Sequence, residues 1–261
     1  RRNQRRRPVS VRPELRAAGP NQLWSWDITQ LRGPRGIYYH LYVILDVFSR
    51  FVPGWMIAER ERAGLAEQLI AETCAKQGIS RDELVLHSDR GSAMRSKTVA
   101  QLLIDLGVAK SHSRPYTPTD NPYSESQFKT MKYRPDYPQR FGCQLEARTW
   151  SRAFFAWYNH EHHHSGLALL TPATVHYGQA QAVLDRRQKV LEAKLALADK
   201  TGDGGVASAQ RSMSVKKRIG RESRVFQREV HASTPLRPGM STSSTTKSTG
   251  RARTASIARC P

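Results

Sequence analysis

Cysteine is scarce in this chain of 261 residues: Cys74, Cys143 and Cys260 are odd in number and far apart, so neither a disulfide framework nor a Cys-x-x-Cys zinc site is available. That usage suits a reducing cytosol. Long apolar runs are missing too. No stretch approaches the ~20 residues a membrane helix needs, and the Arg-rich start lacks the apolar core of a secretory signal. The first residue is Arg rather than Met, which points to a fragment whose upstream portion is missing. Acids are few, 22 against 42 Lys and Arg, leaving a formal net charge of +20 and a pI near 10.5. That surplus suits a partner made of phosphates, and less well an anionic membrane surface.

The charge is unevenly spread. Residues 1–20 hold seven Arg against one Glu, and residues 201–261 hold twelve Lys and Arg against three acids, so only +5 remains between them. With 38% hydrophobic residues there is enough for one sizeable core. The periodicity divides the chain into a basic arm over 1–20, a folded core over 21–178, a charged helix over 179–200 and a Ser/Thr-rich basic tail over 201–261. The tail buries too little to offset its ordering entropy and is expected to be disordered.

Within the core, Leu23 to Thr29 alternates, with Trp24, Trp26 and Ile28 on one face and Ser25, Asp27 and Thr29 on the other. Asp is disfavoured in strands, so Asp27 stands on an exposed face or serves by its charge. Ile37–Val47 and Phe51–Ala58 read as two further strands joined at Phe48-Ser49-Arg50. Asp46 beside that turn is a rival carboxylate, but Asp and Ser at tight hairpins usually satisfy backbone groups. Ala63–Gln77 has a 3.6-residue period stopped by Gly78. Leu84–His87 is a short buried strand leading into the Ser88-Asp89-Arg90-Gly91-Ser92 turn, and crevices for ligands lie at such carboxyl ends. A helix over Ser96–Leu106 and a strand over Val108–His112 follow. The pattern predicts an α/β fold with a sheet of about five strands.

The stretch from His112 to Lys132 reads as a strand end, a Pro-punctuated loop and a helix carrying Glu125. Helix geometry puts Glu125, Lys129 and Lys132 on one face. Gln144–Glu161 is a further helix whose aromatic face reads as core rather than a base-stacking surface. The cluster His160, His162, His163 and His164 invites zinc, but consecutive histidines diverge and no cysteine pair is near. Asp27, Asp89 and Glu125 together offer hard oxygen ligands from a strand, a strand end and a helix, which is what magnesium needs for phosphodiester chemistry. With 22 acids in the chain, spacing alone does not single out this triplet.

The flanking text does. Trp24-Ser25-Trp26-Asp27-Ile28-Thr29, Leu45-Asp46-Val47-Phe48-Ser49-Arg50, His87-Ser88-Asp89-Arg90-Gly91-Ser92, Asp120-Asn121-Pro122-Tyr123-Ser124-Glu125 and Phe128-Lys129-Thr130-Met131-Lys132, in that order, resemble the integrase core of bacterial insertion-sequence transposases. These belong to the DDE superfamily, relatives of retroviral integrases. The gap of 35 residues between Asp89 and Glu125 matches the family. Tyr158-Asn159 and Leu170-Thr171-Pro172-Ala173 look like its ending.

The resemblance implies a ribonuclease H-like mixed five-stranded sheet flanked by helices, with Asp27, Asp89 and Glu125 as catalytic metal ligands. It implies Mg2+, with Mn2+ as a substitute, in strand cleavage and strand transfer at element ends. Lys129 and Lys132, with Arg90 and Arg5, Arg6 and Arg7 of the arm, are the expected DNA contacts. The implied partners are element-end and target DNA and further copies of the chain, with an upstream helix-turn-helix protein or domain outside this chain supplying end recognition. The implied location is the bacterial cytoplasm, associated with the nucleoid. Two alternatives stand beside this reading: a ribonuclease H-like nuclease that cuts without joining, and a catalytically silent nucleic-acid-binding remnant of a transposase. The abrupt tail beyond about Lys194 fits a frameshifted or decayed element.

Overall fold

A computed structural model of the chain describes residues 15–89, 91, 93, 96–114 and 120–200. The tail from 201, most of the basic arm, and with them Arg5, Arg6, Arg7 and Arg90, lie outside the described residues. Five strands form one sheet: β1 (Leu23–Arg32), β2 (Tyr38–Asp46), β3 (Gly54–Ala58), β4 (Val85–Ser88) and β5 (Ala109–His112), in the order β3-β2-β1-β4-β5. β1, β2 and β3 pair antiparallel as two successive hairpins, whereas β1, β4 and β5 run parallel. The parallel half needs crossovers, which α1 (Ala63–Gln77) and α2 (Lys97–Leu106) supply.

The helices α3 (Pro122–Lys132), α4 (Gln144–His160), α5 (Pro172–His176) and α6 (Ala180–Lys200) follow. α1 buries Ala66, Leu69, Ile70, Thr73 and Cys74, the i, i+3, i+4 stripe of a helix lying on a sheet, and stops where Gly78 turns left-handed at φ 62°. α2 begins on Ser96, whose side chain accepts from the Val99 amide, and ends on Gly107.

Each face of the sheet has its own core. Trp24, Trp26, Tyr42, Ile44 and Leu86 pack against Leu69 and Ile70 of α1 and Val99 and Leu103 of α2. On the other face Leu41, Val43, Leu45 and Ile57 meet Phe128 and Met131 of α3 and Phe154, Phe155 and Tyr158 of α4. Each fully buried large side chain contributes roughly 1.5–3 kcal/mol relative to exposure. The aromatic face of α4 is therefore core, as its periodicity predicts.

Asp46 has the structural role expected of it. Its two carboxylate oxygens accept from the amides of Asn21 and Ser49 and from the Ser49 hydroxyl, at 2.6–2.7 Å, fully buried at the β2 turn. The histidine run is equally local. His162 stacks on Tyr158, the His164 ring accepts from the Gly166 amide and His163 faces the Leu169 carbonyl.

β3 is shorter than the sequence suggests. The strand reading over Phe51–Ala58 holds only from Gly54, because Asn159 of α4 takes both backbone groups of Val52. It accepts from the Val52 amide at 2.9 Å and donates to its carbonyl at 3.0 Å.

Candidate active site

Asp27 and Asp89 are brought together by strand register. Trp26 and Ser88 are the last registered pair between β1 and β4, and Asp27 and Asp89 are the next residues on each chain. Asp27 also pairs across β2 with Val43, a member of the core beneath α3 and α4. The polar face of β1 is therefore covered by α3 rather than exposed to solvent: Ser25 is fully buried and Thr29 nearly so.

Two polar clasps seat α3 on that face. At its start the Ser25 hydroxyl donates to Asn121 Oδ1 at 2.5 Å and shares a second contact of 2.5 Å with the Ser124 hydroxyl. Asn121 occupies the N-cap position, but its side chain is turned to Ser25 instead of capping its own helix. At the other end Lys132 donates to Thr29 Oγ1 at 2.7 Å. Ser25 and Thr29 flank Asp27 on its own face, and Ser124 and Lys132 bracket Glu125, so the clasps hold Glu125 over the strand that carries Asp27.

The electrostatics record the same convergence. Burial first, then the negative charges of Asp89 and Glu125, push the Asp27 carboxyl up to about 7, against opposing effects from the Ile28 amide and Lys132. That amide donates to Asp27 Oδ1 at 2.8 Å. Burial lowers the pKa of Lys132, and Asp27 partly restores it. Lys129, one turn earlier on α3, is exposed.

Asp89 is oriented from below. Ser113 donates to its Oδ1 at 2.5 Å. Since that donation uses the Ser113 proton, the contact of 3.3 Å with His87 Nε2 is one in which the imidazole donates, and the contact of 3.1 Å at Nδ1 is one in which Ser111 donates. Burial lowers the His87 pKa, consistent with this neutral tautomer. Arg114 pairs with Asp120 just ahead of α3, donating through Nε and Nη2 at 2.9 and 3.0 Å. Ser25, Ser113, Asn121 and Ser124 were not identified from sequence. The available signals were that Ser25 shares a strand face with Asp27 and that Ser124 neighbours Glu125.

Among the described residues no three His, Cys, Asp or Glu side chains stand close enough to share one ion. The donor set nevertheless fits divalent metal. It is all carboxylate, the hard-oxygen chemistry that magnesium takes, and Asp27 is held near neutrality by burial and by the two acids whose charge a cation would offset.

A mixed five-stranded sheet with helices on both faces is the ribonuclease H-like architecture. Residues 17–118 and residues 106–172 each match an integrase core domain family. A transposase for insertion sequence element IS904 of Lactococcus lactis subsp. lactis (strain IL1403) is 31% identical over 167 residues, covering 64% of this chain and 65% of that protein. Transposase InsF for insertion sequence IS3A of Escherichia coli (strain K12) is 34% identical over 128 residues, 48% of this chain and 44% of its own. Among solved structures, a chain of the simian T-cell lymphotropic virus intasome in complex with PP2A regulatory subunit B56 gamma superposes with a TM-score of 0.51 at 23% identity. That match covers 65% of this chain and 60% of that one, and it speaks for the fold.

The chain belongs to the integrase core domain family, which residues 17–118 and 106–172 match, and it is similar to insertion-sequence transposases. It spans between under half and about two thirds of the length of these curated relatives. No helix among the described residues is long and apolar enough to cross a membrane.

Proposed function

We propose that this chain is the catalytic part of a DNA transposase, cutting and joining strands at the ends of an insertion sequence, with Asp27, Asp89 and Glu125 as its metal-binding catalytic residues. The observation that carries this reading is the position of Asp27, which like Asp89 follows directly on the last registered pair of β1 and β4, beneath the helix that presents Glu125. In this reading the core spans 21–178, with the arm 1–20, the helix 179–200 and the tail 201–261 outside it.

Asp27, Asp89 and Glu125 would hold magnesium, or manganese in its place, which would supply activation of the attacking oxygen and stabilisation of the leaving oxygen. The chain's own residues prepare that site. The Ser113 hydroxyl fixes the Asp89 carboxylate, the Ser25–Ser124 clasp holds Glu125 across from Asp27, and Lys132 brings a positive charge to the same face for a phosphate. Lys129 and Arg90, with Arg5, Arg6 and Arg7 of the arm, extend that contact along DNA.

The partners in this reading are element-end and target duplexes and further copies of the chain, with end recognition supplied by a helix-turn-helix module outside it. The bacterial cytoplasm, at the nucleoid, is the matching location. A strand-transfer assay in Mg2+, using duplexes that carry the end sequences of the encoding element, tests the proposal. Joined products support it, cutting without joining marks a nuclease, and binding without cutting marks a silent remnant.

A further inference from the structure

The free edge of the sheet carries a feature that the acidic cluster does not use. β3 is the edge strand, separated by β2 from the strand bearing Asp27 and on the opposite side of the sheet from β4. Between α1 and α4, along this edge, runs a groove of about 710 Å3 into which Arg60, Arg62, Arg148 and Arg152 converge, with Glu59 the one acid on its lining. It continues past Trp55 and Arg152 into a second hollow of about 440 Å3, where Lys76 and Glu72 offset each other.

All four arginines are exposed, and among the described residues none of their guanidinium groups forms an ion pair or hydrogen bond. Some other guanidinium groups are engaged: Arg114 on Asp120, Arg134 on Asp136, and Arg187 on the Ala168 and Leu169 carbonyls. Arg148 and Arg152 lie one turn apart on α4, about 6 Å along its axis, the scale of two nucleotide steps at about 3.4 Å per step.

We propose that this groove binds the phosphate backbone of a duplex DNA segment, at a site separate from the strand held at the acidic cluster. The assignment rests on the reading of the chain as a DNA-processing enzyme. Two other occupants fit less well. An added peptide strand needs the outward backbone groups of the edge, but Gln144 already donates to the Ile57 carbonyl at 3.1 Å and Lys76 to the Pro53 carbonyl at 3.2 Å. A second copy meeting this face about a twofold axis would set the four arginines against the same four. A phosphate backbone needs only unpaired cations in a concave track, and arginine forks suit phosphate oxygens.

The test uses the full chain. Duplex binding is measured against salt for the unmodified protein, for Arg60→Ala/Arg62→Ala/Arg148→Ala/Arg152→Ala and for the corresponding fourfold Arg→Lys variant, with circular dichroism to confirm folding. Each phosphate contact adds about 0.9 to the log-log salt slope. The alanine variant is expected to lose about 3.6 from the slope, and the lysine variant to keep it. An unchanged slope in the alanine variant overturns the proposal, as does an equal loss in the lysine variant. A change of oligomeric state with the slope intact, or displacement of duplex by polyglutamate at lower charge concentration than by competitor DNA, also overturns it. Asp27→Asn retains the full slope whatever its cleavage activity, so failure of the groove and failure of the catalytic reading give different results.

Discussion

Ser25 on β1 and Ser124 on α3 touch across the sheet–helix seam at 2.5 Å, both buried, each within two residues of an acid of the cluster. This contact ties the position of Glu125 to that of Asp27 across a sequence separation of 99 residues.

Ser25→Ala leaves Asn121 Oδ1 and the Ser124 hydroxyl without their shared partner in a buried site. We expect a loss of about 1–3 kcal/mol in unfolding free energy. At temperatures where the variant is folded, cleavage should drop more than duplex binding. Denaturant melts paired with single-turnover cleavage check this, and equal losses in cleavage and binding would remove the positioning role.

Ser113→Ala removes the hydroxyl that orients Asp89. Loss of such supporting contacts typically costs about 10–100-fold in metal affinity or activity. The magnesium concentration for half-maximal cleavage should rise in this variant, beside a stability loss of about 1–3 kcal/mol from the buried His87 N–H left without its acceptor. An unchanged magnesium dependence contradicts the assigned role.

The pH dependence of stability has a definite sign. The Asp27 carboxyl sits at about 7 in the folded chain against 3.8 when unperturbed, so between those values the native state keeps a proton that the unfolded chain has lost. Stability from this group is full below 3.8 and is lost as pH rises through about 7, on the order of a few kcal/mol. Denaturant melts across this window with chelator present should show the decline, Asp27→Asn should flatten it, and added Mg2+ should offset it. An equally steep decline in Asp27→Asn would assign it to other groups.

A close approach fixes how α1 lies on the sheet. A Cβ at Gly54 would stand 2.1 Å from Thr73 Oγ1 and 3.2 Å from Thr73 Cβ. Gly54→Ala should therefore destabilise by roughly 1–3 kcal/mol, the cost of overpacking. Adding Thr73→Ala should recover part of the loss, because it removes the nearer atom and leaves the farther one. Additive losses in the double mutant would contradict the close-packing account.

Much of this architecture is local in origin and legible in the sequence. α1 is found at its observed bounds because its apolar stripe and its left-handed Gly78 stop are both nearest-neighbour signals. The alternation marks β1 only to Thr29, whereas the strand runs to Arg32, because its second face changes from polar at Ser25, Asp27 and Thr29 to apolar at Leu31, which packs beside Tyr39 and Phe141. The sequence pattern starts β3 at Phe51, three residues before the strand itself, because Asn159, 107 residues away, takes the pairing groups of Val52. The three acids could be named from flanking text, whereas the serines that seat them depend on contacts between distant segments. Periodicity carries no record of those contacts.

The central claim is that Asp27, Asp89 and Glu125 act as one site. Its most direct test is single-turnover strand cleavage in Mg2+ by Asp27→Asn, Asp89→Asn and Glu125→Gln, measured beside duplex affinity on the same preparations. The account predicts near-complete loss of cleavage in each variant with duplex affinity retained. Substantial cleavage by any one of them would remove that residue from the site, and cleavage by all three would contradict the account.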